Sequence, residues 1–264
     1  MAGDVFKRAL ITGAGARLGR AMAVWLAQRG WQVAVHYASS DDGARETLAR
    51  IRAAGGDGAC LQADLLDPDQ VAALMPRTAE ALGGPLSLLI NNASIFEHDT
   101  LLTATSDSWE RHMGSNLRAP LFLTQAFARQ APAAVTDTHG EPLARALVIN
   151  MVDQRVKKPT PEFMTYSLAK AGLWALTRTA AQALAPGIRV NAIAPGPTLI
   201  GARQSPEHFQ RQRQNTVLGR GAHPADITGA LGYFLDAPAV TGQLIAVDGG
   251  QHLAWQTPDI LGPE

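Results

Sequence analysis

A single cysteine, Cys60, stands in 264 residues, so no internal disulfide can form. It reads as a small apolar strand residue and not as a reactive thiol. Charge of one sign is also missing. Lysine and arginine number 23 against 23 acidic residues, with no basic run and no charged tail. That excludes the footprint of a nucleic-acid binder and leaves no interaction arm. No run of about 18 apolar residues occurs, so no membrane span is expected. The stretch from Met1 to Leu10 has no apolar signal core before Ala9, and the expected place is the cytoplasm. The seven histidines are scattered without H-x-H, H-E-x-x-H or C-x-x-C spacing, and no metal is expected.

What is present is one α/β pattern over the whole length. The expected fold is a single-domain Rossmann fold, residues 1–264, with a doubly wound seven-stranded parallel sheet and helices on both faces. Ala9-Leu10-Ile11 is a short apolar strand. It runs into Thr12-Gly13-Ala14-Gly15-Ala16-Arg17-Leu18-Gly19, then an amphipathic segment with Leu18, Met22, Trp25 and Leu26 at helical spacing that stops at Gly30. Val33 to Tyr37 is the next strand. Strand, glycine-rich turn, helix and strand make the first half of a dinucleotide site, where glycine lets the backbone approach a pyrophosphate at a helix N-terminus.

The second strand ends in His36-Tyr37-Ala38-Ser39-Ser40, with no acid before Asp41. A bare ribose 2′-hydroxyl would lack its usual carboxylate there, whereas Ser39, Ser40 and Arg17 suit a 2′-phosphate. NADPH is therefore the expected cofactor; the other reading has Asp41 curl back to serve NADH. Further strands are expected at Ala59–Gln62, Leu86–Ile90, Ala146–Ile149, Arg189–Ile193 and Leu244–Val247. Helices are expected at Asp41–Ala54, Asp69–Leu82, Trp109–Gln130 and Ala225–Leu235 and around Tyr166, with a loop over Pro132–Arg145. The long 109–130 helix offers Leu117, Leu121, Phe122 and Phe127 as apolar positions and carries a polar Asn116.

Asp64 either accepts from an adenine amino group or caps the following helix. Asn91 either braces its loop or touches the cofactor. Phe96 either stacks on a flat heteroaromatic substrate or packs under the loop. Polar residues from about 197 to 224 are expected to form a substrate lid. Tyr166 and Lys170 lie at i and i+4, one turn apart on a helix face, and a cation beside a phenol favours its ionisation.

Thr12-Gly13 through Gly19, Asn91-Asn92-Ala93, Asn116, Tyr166-x-x-x-Lys170 and Pro195-Gly196 follow the order and spacing of the short-chain dehydrogenases/reductases. The resemblance spans about residues 7 to 250. Two departures narrow it: Arg17 replaces the second glycine of T-G-x-x-x-G-x-G, and Asp153 replaces the serine thirteen residues before the tyrosine. With His36-Tyr37, Ser94, Phe96 and Asn150-Met151-Val152-Asp153, the chain resembles the pteridine reductases, NADPH-dependent reducers of pterins and sometimes folates. Ala38 stands where that group often has a basic residue, leaving Ser39 and Ser40 for the 2′-phosphate.

The resemblance implies a catalytic group of Asp153, Tyr166, Lys170 and Asn116, with Asn116 anchoring a water beside Lys170. It implies cofactor contacts from Gly13, Arg17, Leu18, His36, Tyr37, Ser39, Ser40, Asp64, Leu65, Asn92, Ala93, Lys170, Pro195 and Gly196. Arg17, Ser94, Phe96, Asp153 and Tyr166 would bind the substrate, a small pterin or folate, and the assembly would be a homotetramer. The implied reaction is reduction of a ring C=N of a dihydropterin or dihydrofolate. Two rival readings are an NADPH-dependent carbonyl reductase, acting for example on 3-oxoacyl thioesters, and a dinucleotide-binding regulator without turnover.

Overall fold

Side chains alternate across a strand, and in this chain both faces of each central strand are apolar. Ala9 and Ile11, Val33 and Val35, Leu88 and Ile90, and Leu147 and Ile149 point to one face. Leu10, Ala34, Leu89 and Val148 point to the other. Such a sheet must be covered twice. The computed structural model describes residues 6–201 and 204–255 and has that form.

In chain order the elements are β1 (Arg8–Ile11), α1 (Arg17–Ala27), β2 (Gln32–Tyr37), α2 (Asp41–Ala53), β3 (Asp57–Gln62), α3 (Pro68–Ala81), β4 (Leu88–Asn91), α4 (Ser106–Met113), α5 (Ala119–Gln130), β5 (Val135–Thr136), β6 (Pro142–Leu143), β7 (Ala146–Met151), α6 (Met164–Leu184), β8 (Ile188–Pro195), α7 (Pro206–Gln214), α8 (Pro224–Asp236) and β9 (Leu244–Val247). Seven strands form one parallel sheet in the order β3-β2-β1-β4-β7-β8-β9. One face packs on α1, α2 and α8 through Met22, Leu26, Ile51, Leu231 and Phe234. The other packs on α3, α5 and α6 through Leu74, Met75, Leu123, Phe127 and Ala180. Strand order reverses between β1 and β4, and open sheets of this kind bind ligands at that switch, beyond the strands' carboxyl ends.

Two expectations change. The 109–130 helix begins earlier, at Ser106, where Thr105 and Ser108 close a capping box. It also passes through a π turn at Gly114–Arg118 that holds Asn116. The wider turn rotates the residues beyond it, so Leu123 and Phe127 face the core while Leu121 and Phe122 are exposed. The loop at 132–145 contains the antiparallel pair β5–β6. The 197–224 stretch contains α7, which buries no residue; residues 202 and 203 of this expected lid lie outside the described residues. Among the described residues no helix is long and apolar enough to cross a membrane.

Candidate active site

The floor of the cleft is built by amides that link strand ends. Asn91 donates to Asn150 Oδ1 at 2.8 Å, and Asn150 donates to Thr177 Oγ1 at 2.9 Å. Asn91 is therefore a brace between β4, β7 and α6. Asn92 donates to the carbonyl oxygens of Thr12 and Gly13, and Thr12 Oγ1 accepts from the backbone N–H groups of Asn92 and Ala93. These bonds press the loop after β4 onto the glycine-rich loop. A β-carbon on Gly13 would lie 2.9 Å from Ala93 Cα, and one on Gly19 would lie 2.4 Å from the Gly13 oxygen. Glycine is required at both positions.

His36 acts on the same loop from beneath. It is buried; Nδ1 accepts from the Gly13 N–H at 3.0 Å and Nε2 faces the Ala63 carbonyl at 3.0 Å. The ring is thus a neutral Nε2–H tautomer, and burial lowers its pKa to about 4. Both nitrogens serve the backbone, so His36 shapes the cofactor loop instead of offering a group to the cleft. Leu65 likewise sends its side chain into the core, and Leu18 is half-buried.

At the end of β2, Ala38, Ser39 and Ser40 are exposed. Asp41 is bound by Arg45 at 2.6 Å and by the Tyr37 hydroxyl, and these bonds hold its carboxyl below the usual range. It begins α2 and does not curl back as a ribose acceptor. Asp67, not Asp64, caps α3, accepting from the N–H groups of Asp69 and Gln70. Asp64 is exposed beyond β3 and accepts from the Leu66 N–H. Helix α1 has Ala16 as its N-cap, with no side-chain cap and no acid in its first turn. Its leading N–H groups and positive dipole end suit an anion. A β-carbon on Gly196 would strike Asp248, which fixes how closely the turn after β8 packs on the end of β9.

Arg17 adopts φ +52°, an unusual value for a residue with a side chain. Its guanidinium donates to the Leu199 and Ile200 carbonyls at 3.0 and 2.7 Å. The arginine in the glycine position therefore clasps the segment after β8.

The reactive groups meet at the end of β7. The Tyr166 hydroxyl donates to Asp153 Oδ2 at 2.9 Å, and Lys170 Nζ donates to the Met151 carbonyl at 2.8 Å. Tyr166 and Lys170 are both buried. Burial, then the Asp153 charge and hydrogen bond, push the phenol well above its ordinary pKa, outweighing Arg155 and Ser94. The expected lowering of Tyr166 by Lys170 is therefore corrected: the nearest charge is a carboxylate. Burial lowers Lys170 to about 8, opposed by Asp153. Asn116 receives the Ile95 N–H at 2.9 Å and donates to the Ile95 carbonyl at 2.8 Å. Its side chain holds the loop carrying Ser94 and Phe96.

Phe96 is 41% exposed, stacks on Phe163 with centroids 4.2 Å apart, and meets Tyr166 edge-on at 4.7 Å. Ser94 is exposed beside the phenol it bonds. Sequence reasoning missed the supports of this corner. Phe163 takes a left-handed φ of +59° just before α6 and donates its N–H to the Asp99 carbonyl at 2.8 Å. Asp99, buried, accepts from Thr165 and Ser108; burial pushes its carboxyl up, but these bonds hold it below the usual range. His112 Nε2 accepts from the Glu97 N–H and Nδ1 faces Thr165 Oγ1 at 2.7 Å, with burial lowering the ring's pKa. Arg155 sits over both phenyl rings. Only Arg155, two residues from Asp153, carried a local signal.

Residues 13–252 match the family model described as enoyl-(acyl carrier protein) reductase. The 3-oxoacyl-[acyl-carrier-protein] reductase FabG of Staphylococcus aureus is 31% identical over 94% of this chain and 98% of its own length. Among solved structures, FolM alternative dihydrofolate reductase 1 from Brucella canis, complexed with NADP, is 40% identical with a TM-score of 0.87, covering 98% of this chain and 100% of the other. The promiscuous keto-reductase LugOII of lugdunomycin biosynthesis is 30% identical with a TM-score of 0.86, over 95% and 100%.

Proposed function

Since the chain belongs to the short-chain dehydrogenase/reductase family, we propose that it is an NADPH-dependent reductase of a dihydropterin or dihydrofolate, acting on a ring C=N bond. The observation that carries this reading is the 2.9 Å hydrogen bond from Tyr166 to Asp153, made beside the exposed ring of Phe96. The 40% identity to a dihydrofolate reductase complexed with NADP, against 29–32% for the carbonyl reductases, supports it.

The glycine-rich loop, the uncapped α1 and the acid-poor end of β2 fit NADPH. Gly13, Arg17, Leu18 and Asn92-Ala93 would border the pyrophosphate and nicotinamide. Ser39 and Ser40 would take the 2′-phosphate, Asp64 and Leu65 the adenine side, and Pro195-Gly196 the nicotinamide end. When bound, NADPH supplies the hydride. The protein supplies alignment and a proton. Tyr166 keeps its proton at neutral pH, held on Asp153, and can pass it to a basic ring nitrogen. A negative carboxylate favours a substrate that becomes a cation as it is protonated. Lys170 would bind the nicotinamide ribose, Ser94 and Arg17 the pterin edge, and Phe96 the pterin face.

The test is NADPH oxidation by the purified protein against a panel of dihydropterins, dihydrofolate, 3-oxoacyl thioesters and other ketones. Dihydropterin or dihydrofolate turnover above ketone turnover is expected. Ketone turnover alone favours the carbonyl reductase named by the other relatives; binding without any turnover favours the regulator. The tetramer implied by the resemblance is proposed as the assembly, with exposed Leu121, Phe122 and Leu168 available to cover; light scattering tests it.

A further inference from the structure

We propose that Arg155 is a positioning residue that sets two parts of the site at once, holding the Asp153 carboxylate on the Tyr166 hydroxyl and clamping the Phe96–Phe163 stack. The proposal rests on the reductase reading above. Arg155 follows β7 in the short 3₁₀ turn Gln154–Val156. Its backbone N–H donates to Asp153 Oδ1 at 2.9 Å, and Nη1 lies 3.5 Å from both carboxylate oxygens. Both side chains are mostly buried, at 19% and 17% exposure, so water screens the pair weakly. Oδ2 remains the acceptor for Tyr166. The carboxylate therefore takes the Arg155 N–H on Oδ1 and the phenol on Oδ2, with Nη1 across both oxygens.

The same guanidinium carbon lies 5.1 Å from the Phe163 centroid and 5.6 Å from that of Phe96. Both are within cation–π range. Phe96 in turn sets its edge on Tyr166. One side chain thus links the proton-donating pair to the aromatic wall. Its Nε–H is buried without a partner among the described residues. A buried unsatisfied donor lowers stability.

Three other polar or charged groups face the pair. Lys170 lies over the Tyr166 ring from α6, His112 approaches it from α4, and Ser94 faces the phenol from the loop after β4. Arg155 is the one cation bonded to Asp153 among the described residues. Removing it takes away a charge that lowers the Tyr166 phenol's proton affinity. A residue that merely fills space would leave that affinity alone.

The experiment compares Arg155→Met and Arg155→Lys with the unaltered protein, on whichever member of the substrate panel the unaltered protein reduces. A failure of the pterin assignment then shows up in the unaltered protein and leaves this comparison intact. NADPH affinity, read by fluorescence, checks that each variant is folded. R155M is expected to lower kcat about 10- to 100-fold and to move the limb of the pH profile that reports the Tyr166 phenol to higher pH. R155K, which keeps the charge without the fork, is expected to restore the limb and part of kcat. In an Asp153→Asn background R155M should cost little more, since the two act as a unit. Unaltered kcat and pH profile in R155M, or a kcat loss with an unmoved limb that adds fully to that of D153N, would overturn the proposal.

Discussion

Acid should release the glycine-rich loop through one imidazole. His36 accepts the Gly13 N–H at Nδ1, and a proton there would set N–H against N–H. Its pKa falls from 6.5 to about 4 because the ring is buried, despite its bond to Ala63. The folded value lies below the unfolded one. The associated stability is therefore complete above pH 6.5 and is lost as pH falls toward 4. The gap corresponds to about 3 kcal/mol. Chemical denaturation at pH 7 and pH 4 measures it, with His36→Gln as the reference, since glutamine keeps a donor and an acceptor but does not titrate. The unaltered protein should lose about 3 kcal/mol more than the variant over that interval. Its NADPH affinity should fall over the same interval as Gly13 comes loose. Parallel losses in the two proteins would refute the assignment of a neutral bridging ring.

Three further outcomes follow from the geometry. Tyr166→Phe removes the proton donor and should lower kcat by ~10²–10⁴-fold in NADPH oxidation with NADPH binding retained; unaltered turnover would sink the role. Lys170→Met should abolish turnover yet raise the cofactor-free stability by up to about 3 kcal/mol at pH 7, because a lysine whose folded pKa is near 8 opposes folding until pH rises through about 8 to 10.5. Thermal denaturation reads it, and a destabilised variant at pH 7 would count against the buried charge. Gly19→Ala places a β-carbon 2.4 Å from the Gly13 oxygen and 2.7 Å from Asn92 Nδ2. It should cost about 1–3 kcal/mol in denaturation and most of the NADPH affinity.

The sequence alone determined the sheet and the order of its chemistry. Apolar runs of strand length alternating with helical spacing leave few foldings other than a doubly wound sheet, and the glycines of the first turn mark where a backbone must approach something closely. Tyr166 and Lys170 were legible because four residues make one helical turn, and Asp153 because it stands where a serine was expected. Tertiary structure decided what those groups do. His36 looked like a cofactor contact and is a buried prop, Asn116 spends its side chain on Ile95, and Tyr166 is pushed up by burial and a carboxylate instead of down by a lysine. Asp99 and Thr165 stand 66 residues apart and join only when α6 folds back beside the loop after β4. The physical reason is range. Periodicity and turn chemistry act between neighbours in the chain and can be read along it, whereas desolvation, charge and hydrogen-bond partners depend on which distant segments pack together.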